Sequence, residues 1–221
     1  MLDDAIAVIG PPAVGKTALT LLLGQLPGRQ VFRLREYVPE TILAATATSA
    51  EQLGWIDDLT VTMALRAYLD SVVTDCTVHT VLLDNFPGSA QQVRLFLSII
   101  RKLAPTCAIH PVELVADPAT LNRRTRERRV CHQCERDPIH DPRLPAVANP
   151  ANRQRCARCN NVLHPRRGDA PRIFAARMER YRQSADGIRE AFASAGVPVL
   201  QLESSGPPEQ IANELITLLK Q

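Results

Sequence analysis

The sequence predicts an α/β fold in which a parallel sheet carries helices on both faces. Three observations lead there. Short apolar runs at residues 5–9 and 81–83 suit strands buried on both sides, and the mostly apolar residues 197–202 suit a last strand. Each is followed by a segment with helical length and pattern. At 221 residues, 45% hydrophobic and 22% charged, the chain can bury one core and still carry small insertions.

Taken in order, residues 5–9 form the first strand, and residues 18–23 form a buried helix ended by Pro27 and Gly28. Residues 81–83 form a strand that runs into Asp84, and residues 90–103 a helix stopped before Pro105. Residues 107–115 form a further strand, irregular or near an edge because of Pro111. A helix over 118–129 has Asp117 placed to cap it. A long helix over 171–195 follows the acidic Asp169 and ends at Gly196. The strand at 197–202 and a helix over 207–219 complete the pattern. Strands alternating with helices imply parallel pairing. Two stretches break the rhythm. Residues 31–75 are mostly helical, with no strand after the first few. Residues 130–168 are rich in Pro, Arg, Asn and Cys, with few large apolar side chains. Such a segment needs a source of stability other than a core. There are no internal repeats.

The strongest motif is Gly10-Pro11-Pro12-Ala13-Val14-Gly15-Lys16-Thr17, with Ala18 opening the helix beyond it. It fits G-x-x-x-x-G-K-[ST] between a strand and a helix. Glycines let the backbone turn and aim successive N–H groups inward as an anion nest, and the helix start adds its positive dipole end. Lys16 is then a point charge for β- and γ-phosphates, and Thr17 is placed to ligate Mg²⁺. Asp84, at the end of a buried strand, is placed to organise the same ion; its plainer role would be to cap the next helix. The fold expected is therefore a P-loop NTPase-type sheet.

Six cysteines include two Cys-x-x-Cys pairs, Cys131/Cys134 and Cys156/Cys159, with 21 residues between them. Four thiolates make a closed, structural zinc site, which would staple the core-poor segment. Two disulfides or free thiols are the alternative, and His132, His140 or His164 could each stand in for one cysteine. Cys76 and Cys107 are expected in the core. No secretion signal and no membrane-length apolar run are visible, so a reducing cytoplasm and no membrane partner are expected.

Net charge is +3, so composition demands no nucleic-acid partner. Of 26 basic residues only Lys16, Lys102 and Lys220 are lysine. Base composition explains the ratio but not the clustering of arginine around the cysteine module. Arg123, Arg124, Arg126, Arg128 and Arg129 precede the module; Arg166, Arg167, Arg172, Arg177 and Arg180 follow it. A solvated basic face or a nucleic-acid-binding zinc ribbon would show the same cluster, but the phosphate loop upstream turns the reading toward phosphate handling.

In order along the chain, these residues resemble the adenylate kinase family of nucleoside monophosphate kinases, in its long form with a zinc-bearing lid. Asp84-Asn-Phe86-Pro with Gln92 resembles the family's Asp-Gly-Phe-Pro-Arg…Gln segment. Glu127-Arg-Arg-Val-Cys131 resembles the start of its lid, and Ile139-His140 sits where it has Tyr-His. Arg166-Arg-Gly-Asp169 with Arg177 resembles the lid's end, and Gly54-Trp-Ile-Asp-Asp58 a stretch of its acceptor domain. The resemblance implies a core of residues 1–30, 76–122 and 169–221, a helical acceptor-binding insertion over 31–75 and a zinc-stapled lid over 123–168. It implies transfer of the γ-phosphoryl of Mg-ATP to a small acceptor by a cytoplasmic monomer. Arg124 and Arg128 would hold the donor, Arg166 and Arg177 would contact the moving phosphate, and Gln92 would read the acceptor base. Lys16, Asp84, Arg128, Arg166 and Arg177 form the catalytic set. Phe86 and Asp84 would line the acceptor side.

The chain departs from the pattern there. Gly88 stands where the family has an arginine, and Val31-Phe-Arg33-Leu-Arg35-Glu36 stands where it has Thr-Gly-Asp. Arg33 or Arg35 would take over the acceptor phosphate. Two other functions stay open: a kinase of this fold with a non-nucleotide acceptor, and a degenerate nucleotide-binding protein whose lid binds a partner.

Overall fold

The computed structural model describes residues 1–48, 55–135, 142 and 144–219. Strand β1 (Asp4–Ile9) leads through the glycine loop into α1 (Lys16–Leu23). Then come β2 (Arg29–Phe32), α2 (Glu40–Thr48), α3 (Asp58–Thr74), β3 (Thr80–Asp84), α4 (Ala90–Leu103), β4 (Ala108–Val115) and α5 (Pro118–Glu127). A module of four short strands follows: β5 (Arg129–Val130), β6 (Ala148–Asn149), β7 (Asn152–Cys156) and β8 (His164–Pro165). The chain ends with α6 (Pro171–Ser194), β9 (Leu200–Glu203) and α7 (Pro208–Leu218).

Five strands form one parallel sheet in the order β2-β3-β1-β4-β9. Flanked by helices on both faces, it has the arrangement of the P-loop NTPase fold. The two-residue period of a strand explains how one apolar run serves two cores. Ala5, Ala7 and Ile9 of β1 join the cluster containing Tyr68, Phe96 and Phe192. Ile6 and Val8 join the opposite cluster with Leu19, Leu121 and Leu215. Val81 and Leu83 of β3 likewise face the first cluster and Leu82 the second. Burying each of the Val, Leu and Ile side chains stabilises the fold by about 1.5–3 kcal/mol.

Helix starts follow their caps. Asp57, Ser89 and Asp117 accept hydrogen bonds from the backbone N–H of Thr60, Gln92 and Thr120, opening α3, α4 and α5. Such caps are typically worth about 1 kcal/mol each. Pro111 is tolerated because β4 pairs with β9 only from Val112 onward, so at Pro111 the strand has β1 alone as neighbour.

Several expectations need correction. Strand β2 straddles the expected boundary at 30/31, so the sheet continues to Phe32 before the helical insertion begins. Helix α1 stops at Leu23 with Gly24 as its C-cap, ahead of Pro27 and Gly28. The last strand starts at Leu200, because Val197 and Val199 pack on the first core cluster without pairing. Asp169 does not cap α6, whose N-cap Ala170 offers no side-chain bond; its carboxylate is taken by Arg128. Cys76 is exposed rather than in the core, and Cys107 is half-buried with its thiol pushed up to about 12 by desolvation and by Asp4 and Asp3.

Candidate active site

In the sheet, β1 and β4 are neighbours, yet the connection leaving β1 runs toward β2 and the one reaching β4 comes from β3. A crevice opens at the carboxyl ends of strands around such a reversal. The glycine loop lies there. Gly10 has φ +138°, and a Cβ on it would lie 2.5 Å from the Leu114 carbonyl oxygen of β4, so no other residue fits. Ala13 at φ 67° and Gly15 at φ 112° complete the curl. Gly15 is the N-cap of α1 and provides no side-chain bond, which leaves the first amides of the helix for a ligand.

Lys16 is buried, and its Nζ donates to the carbonyl oxygens of Gly10 and Pro11, both at 2.7 Å. Burial, aided by the neighbouring charge of Arg177, lowers its pKa to about 7 even though Asp84 pulls the other way. Thr17 donates its hydroxyl to Asp84 Oδ1 at 3.2 Å. Burial raises the Asp84 pKa, opposed by that hydrogen bond and by Lys16 and Arg33. Two hard oxygen donors thus converge beside the loop, as a Mg²⁺ site requires.

Val14 is held from behind. Arg124 donates to its carbonyl oxygen at 2.8 Å and to that of Ser204 at 2.5 Å, while the Ser204 hydroxyl also donates to Val14 O at 3.0 Å. Arg124, expected to hold a donor nucleotide, braces the glycine loop as well as lining the cavity. Pro11 and Gly10 are buried in the loop, and Ala13, Gly15, Thr17 and Ala18 line a cavity of about 1680 Å³.

The same cavity collects arginines from both sides of the cysteine module. Arg128 is clamped by Asp169, its Nε donating to Oδ2 at 2.6 Å and its Nη2 to Oδ1. Arg177 donates to Gly168 O at 3.1 Å; burial and the charges of Arg166, Arg128 and Arg35 lower its pKa to about 10 against the pull of Asp169. Arg166, Arg167, Arg172 and Arg35 line the cavity as well. The neighbouring guanidinium charges that depress Arg177 make this part of the cavity a favourable place for a bound polyanion.

On the far side, Arg33 donates from Nη1 to Glu36 at 3.2 Å, and its Nε lies 3.4 Å from Asp84 Oδ2. Arg33 thus joins the acceptor side to Asp84. Phe86 is 1% exposed and stacks edge-on against Phe32 and Phe96, so it forms floor rather than contact surface. Gln92 is also buried; its carboxamide accepts from Gly88 N at 2.9 Å and donates toward Asp58 Oδ1 at 3.5 Å.

The sulfurs of Cys131, Cys134, Cys156 and Cys159 lie within 4.8 Å of one another, with 3.4 Å between Cys131 and Cys159 and 3.7 Å between Cys134 and Cys156. A tetrahedron of about 2.3 Å Zn–S bonds has sulfur edges near 3.8 Å, so the donor set fits structural zinc. Among the described residues no histidine joins the four thiols. The rings of His132 and His164 lie 5.6 Å apart at a tilt, and His140, with Ile139, lies outside the described residues, as do Gly54 and Lys220.

Sequence reasoning missed Ser204 and the role of Asp169. Their partners are remote along the chain, and no motif announces them. It gave Trp55 no role beyond its place in the acceptor-domain stretch and passed over Arg153; both line the cavity.

No protein-family model matches the chain. Among curated proteins it is similar to the adenylate kinase of Mycoplasma genitalium, 27% identical over 191 residues that make up 84% of this chain and 83% of that protein. The similarity extends over most of both chains and supports kinship with that family at a distance. No described helix is long and apolar enough to cross a membrane.

Proposed function

We propose that the protein is an ATP-dependent phosphotransferase of the nucleotide-kinase type, moving the γ-phosphoryl of Mg-ATP to a nucleoside monophosphate. One observation carries this reading. Lys16, the Thr17–Asp84 pair and the arginines Arg128, Arg166 and Arg177 all line one cavity, where neighbouring guanidinium charges depress the pKa of Arg177. Phosphoryl transfer asks little covalent chemistry of a protein and much placed positive charge. Kinship with an adenylate kinase supports the same reading.

In this scheme the loop amides and Lys16 hold the β- and γ-phosphates. Thr17 and Asp84 would hold Mg²⁺, which neutralises phosphate charge when bound. Arg128, positioned by Asp169, and Arg166 and Arg177 receive the charge of the moving group. Residues 31–75 serve as the acceptor-binding insertion. Residues 123–168 serve as a lid stapled by zinc, which excludes water so that ATP is not simply hydrolysed. Four zinc thiolates suit a reducing cytoplasm. The test is ADP formation by purified protein offered AMP, GMP, CMP or UMP against an acceptor-free control. The expected result is stimulation by at least one monophosphate. Equal ADP release in all tubes would leave an ATPase and end the reading.

A further inference from the structure

Trp55 is the only tryptophan in a chain that is 4% aromatic. It stands just before α3 and lines the same cavity as the glycine loop. Its surroundings are specific. A Cβ at Gly88 would lie 3.4 Å from two carbons of the indole, so the ring edge rests on the one residue there that has no side chain. The Arg180 guanidinium of α6 sits 5.5 Å from the ring centroid, a cation–π contact. Held by Gly88 at its edge and Arg180 at a face, the indole still keeps 36% of its surface exposed. The two other cavity aromatics are occupied. Phe86 is buried, and Tyr181 donates its hydroxyl to Glu113.

We propose that Trp55, fixed in place by Gly88 and Arg180, is the platform on which the acceptor's aromatic base stacks, and so determines which acceptors the site takes. The inference rests on the kinase reading above and assigns it a residue. The surroundings favour a ring. Val38, Leu43 and Ile56 are buried apolar residues lining the same cavity, and the Gln92 carboxamide lies beside Gly88. Asp84 to Gly88 lines the cavity without a break, and four residues of backbone span at most about 14 Å. A ligand whose ring lies on Trp55 can therefore extend its other end as far as Asp84 and its partner Thr17. A preset ring costs little ordering entropy on binding, which is what a selective platform needs.

The sole tryptophan makes this directly measurable. Wild-type emission is titrated with AMP, GMP, CMP and UMP, and with ribose 5-phosphate as a base-free control. The expected result is quenching by a base-bearing monophosphate and none by ribose 5-phosphate. Kinetics supply the second arm. Base–aromatic stacking removed by alanine costs roughly tenfold or more in affinity. Trp55→Ala should raise the acceptor KM by that factor with the ATP KM unchanged, and Trp55→Phe should restore most of it. Equal quenching by ribose 5-phosphate, or no quenching by any monophosphate, overturns the platform. So does a rise in both KM values, which would make Trp55 a strut between α6 and the insertion. Quenching without acceptor-stimulated ADP formation would keep the platform and defeat the kinase reading instead.

Discussion

The two ends of the cavity are built by different means. At the glycine loop, geometry is set by backbone. Gly10 lies against the Leu114 carbonyl, Lys16 holds two loop carbonyls, and Val14 is fastened by Arg124 and Ser204. Around Trp55 every contact involves at least one side chain: indole on the Gly88 backbone, guanidinium on indole, carboxamide toward carboxylate. Backbone geometry admits almost no substitution, whereas side-chain contacts can be exchanged one at a time. A fold arranged this way can keep its phosphate chemistry while changing what it phosphorylates.

The comparison breaks most easily at Lys16. Its charge is aimed where phosphate charge shifts in the transition state, and removing one such group typically costs about 10²–10³ in rate. Lys16→Ala should lower kcat by that factor, and near-normal turnover by folded protein would disprove the phosphate site. The same residue predicts a pH dependence. Its folded pKa of about 7 lies below the unfolded 10.5, so the unfolded chain binds more protons between those values. Stability contributed by Lys16 therefore rises with pH through that window and is lost as pH falls toward 7. Nucleotide binding has the opposite trend, because phosphates select the charged amine. Mg-ATP affinity should fall as pH rises above about 7, with proton uptake visible as a buffer-dependent heat of binding. Lys16→Met should abolish that uptake.

A smaller effect separates the cysteine module from the sheet. Apart from the cysteines, only Leu163 among the described residues of the module forms its buried cluster, whereas the sheet is lined by two extended ones. Zinc removal by a chelator, or Cys156→Ser, should therefore raise amide exchange over residues 129–165 and leave β1, β3 and β4 protected. Activity should fall as well, because Arg128 and Arg166 adjoin the paired strands β5 and β8 that close the module. Metal analysis near one zinc per chain is expected, and simultaneous loss of protection in module and sheet would refute their independence.

What the sequence revealed follows the same division. The glycine loop was legible because anion binding needs fixed residue types at fixed spacing. The strands were legible because burial on both faces leaves continuous apolar runs, as in Val81-Leu82-Leu83. The cysteine cluster was legible because its spacing has few other uses. Illegible were pairings between residues distant in sequence but close in space. Arg128 with Asp169, Arg124 with Val14 and Ser204, and Trp55 with Arg180 leave no periodic trace. Strand β2 was overlooked as a sheet member because Arg29-Gln-Val-Phe32 is short and half polar, as an edge strand can be.

The least disruptive change sharpens the comparison most, because one substitution can be made at both ends. Gly10→Ala would place a Cβ 2.5 Å from a backbone oxygen at φ +138°, where neither partner can move. Strained backbone of this kind costs on the order of 1–3 kcal/mol before the clash is counted, so Gly10→Ala should lower Tm clearly and weaken ATP binding. Gly88→Ala meets only the tips of side chains, with Gln92 Oε1 at 3.3 Å and two Trp55 carbons at 3.4 Å. Its backbone lies outside the left-handed region, so the alanine itself is unstrained. The neighbours must yield by a few tenths of an ångström. Stability should stay within about 0.5 kcal/mol of wild type. The Trp55 ring should tilt enough to raise the acceptor KM by roughly twofold, with the ATP KM unchanged. Melting temperatures and paired KM values for the two variants decide the matter. If Gly88→Ala destabilises the protein as much as Gly10→Ala, or weakens ATP binding, the acceptor end is as tightly constrained as the phosphate loop. The freedom argued for it would then not exist.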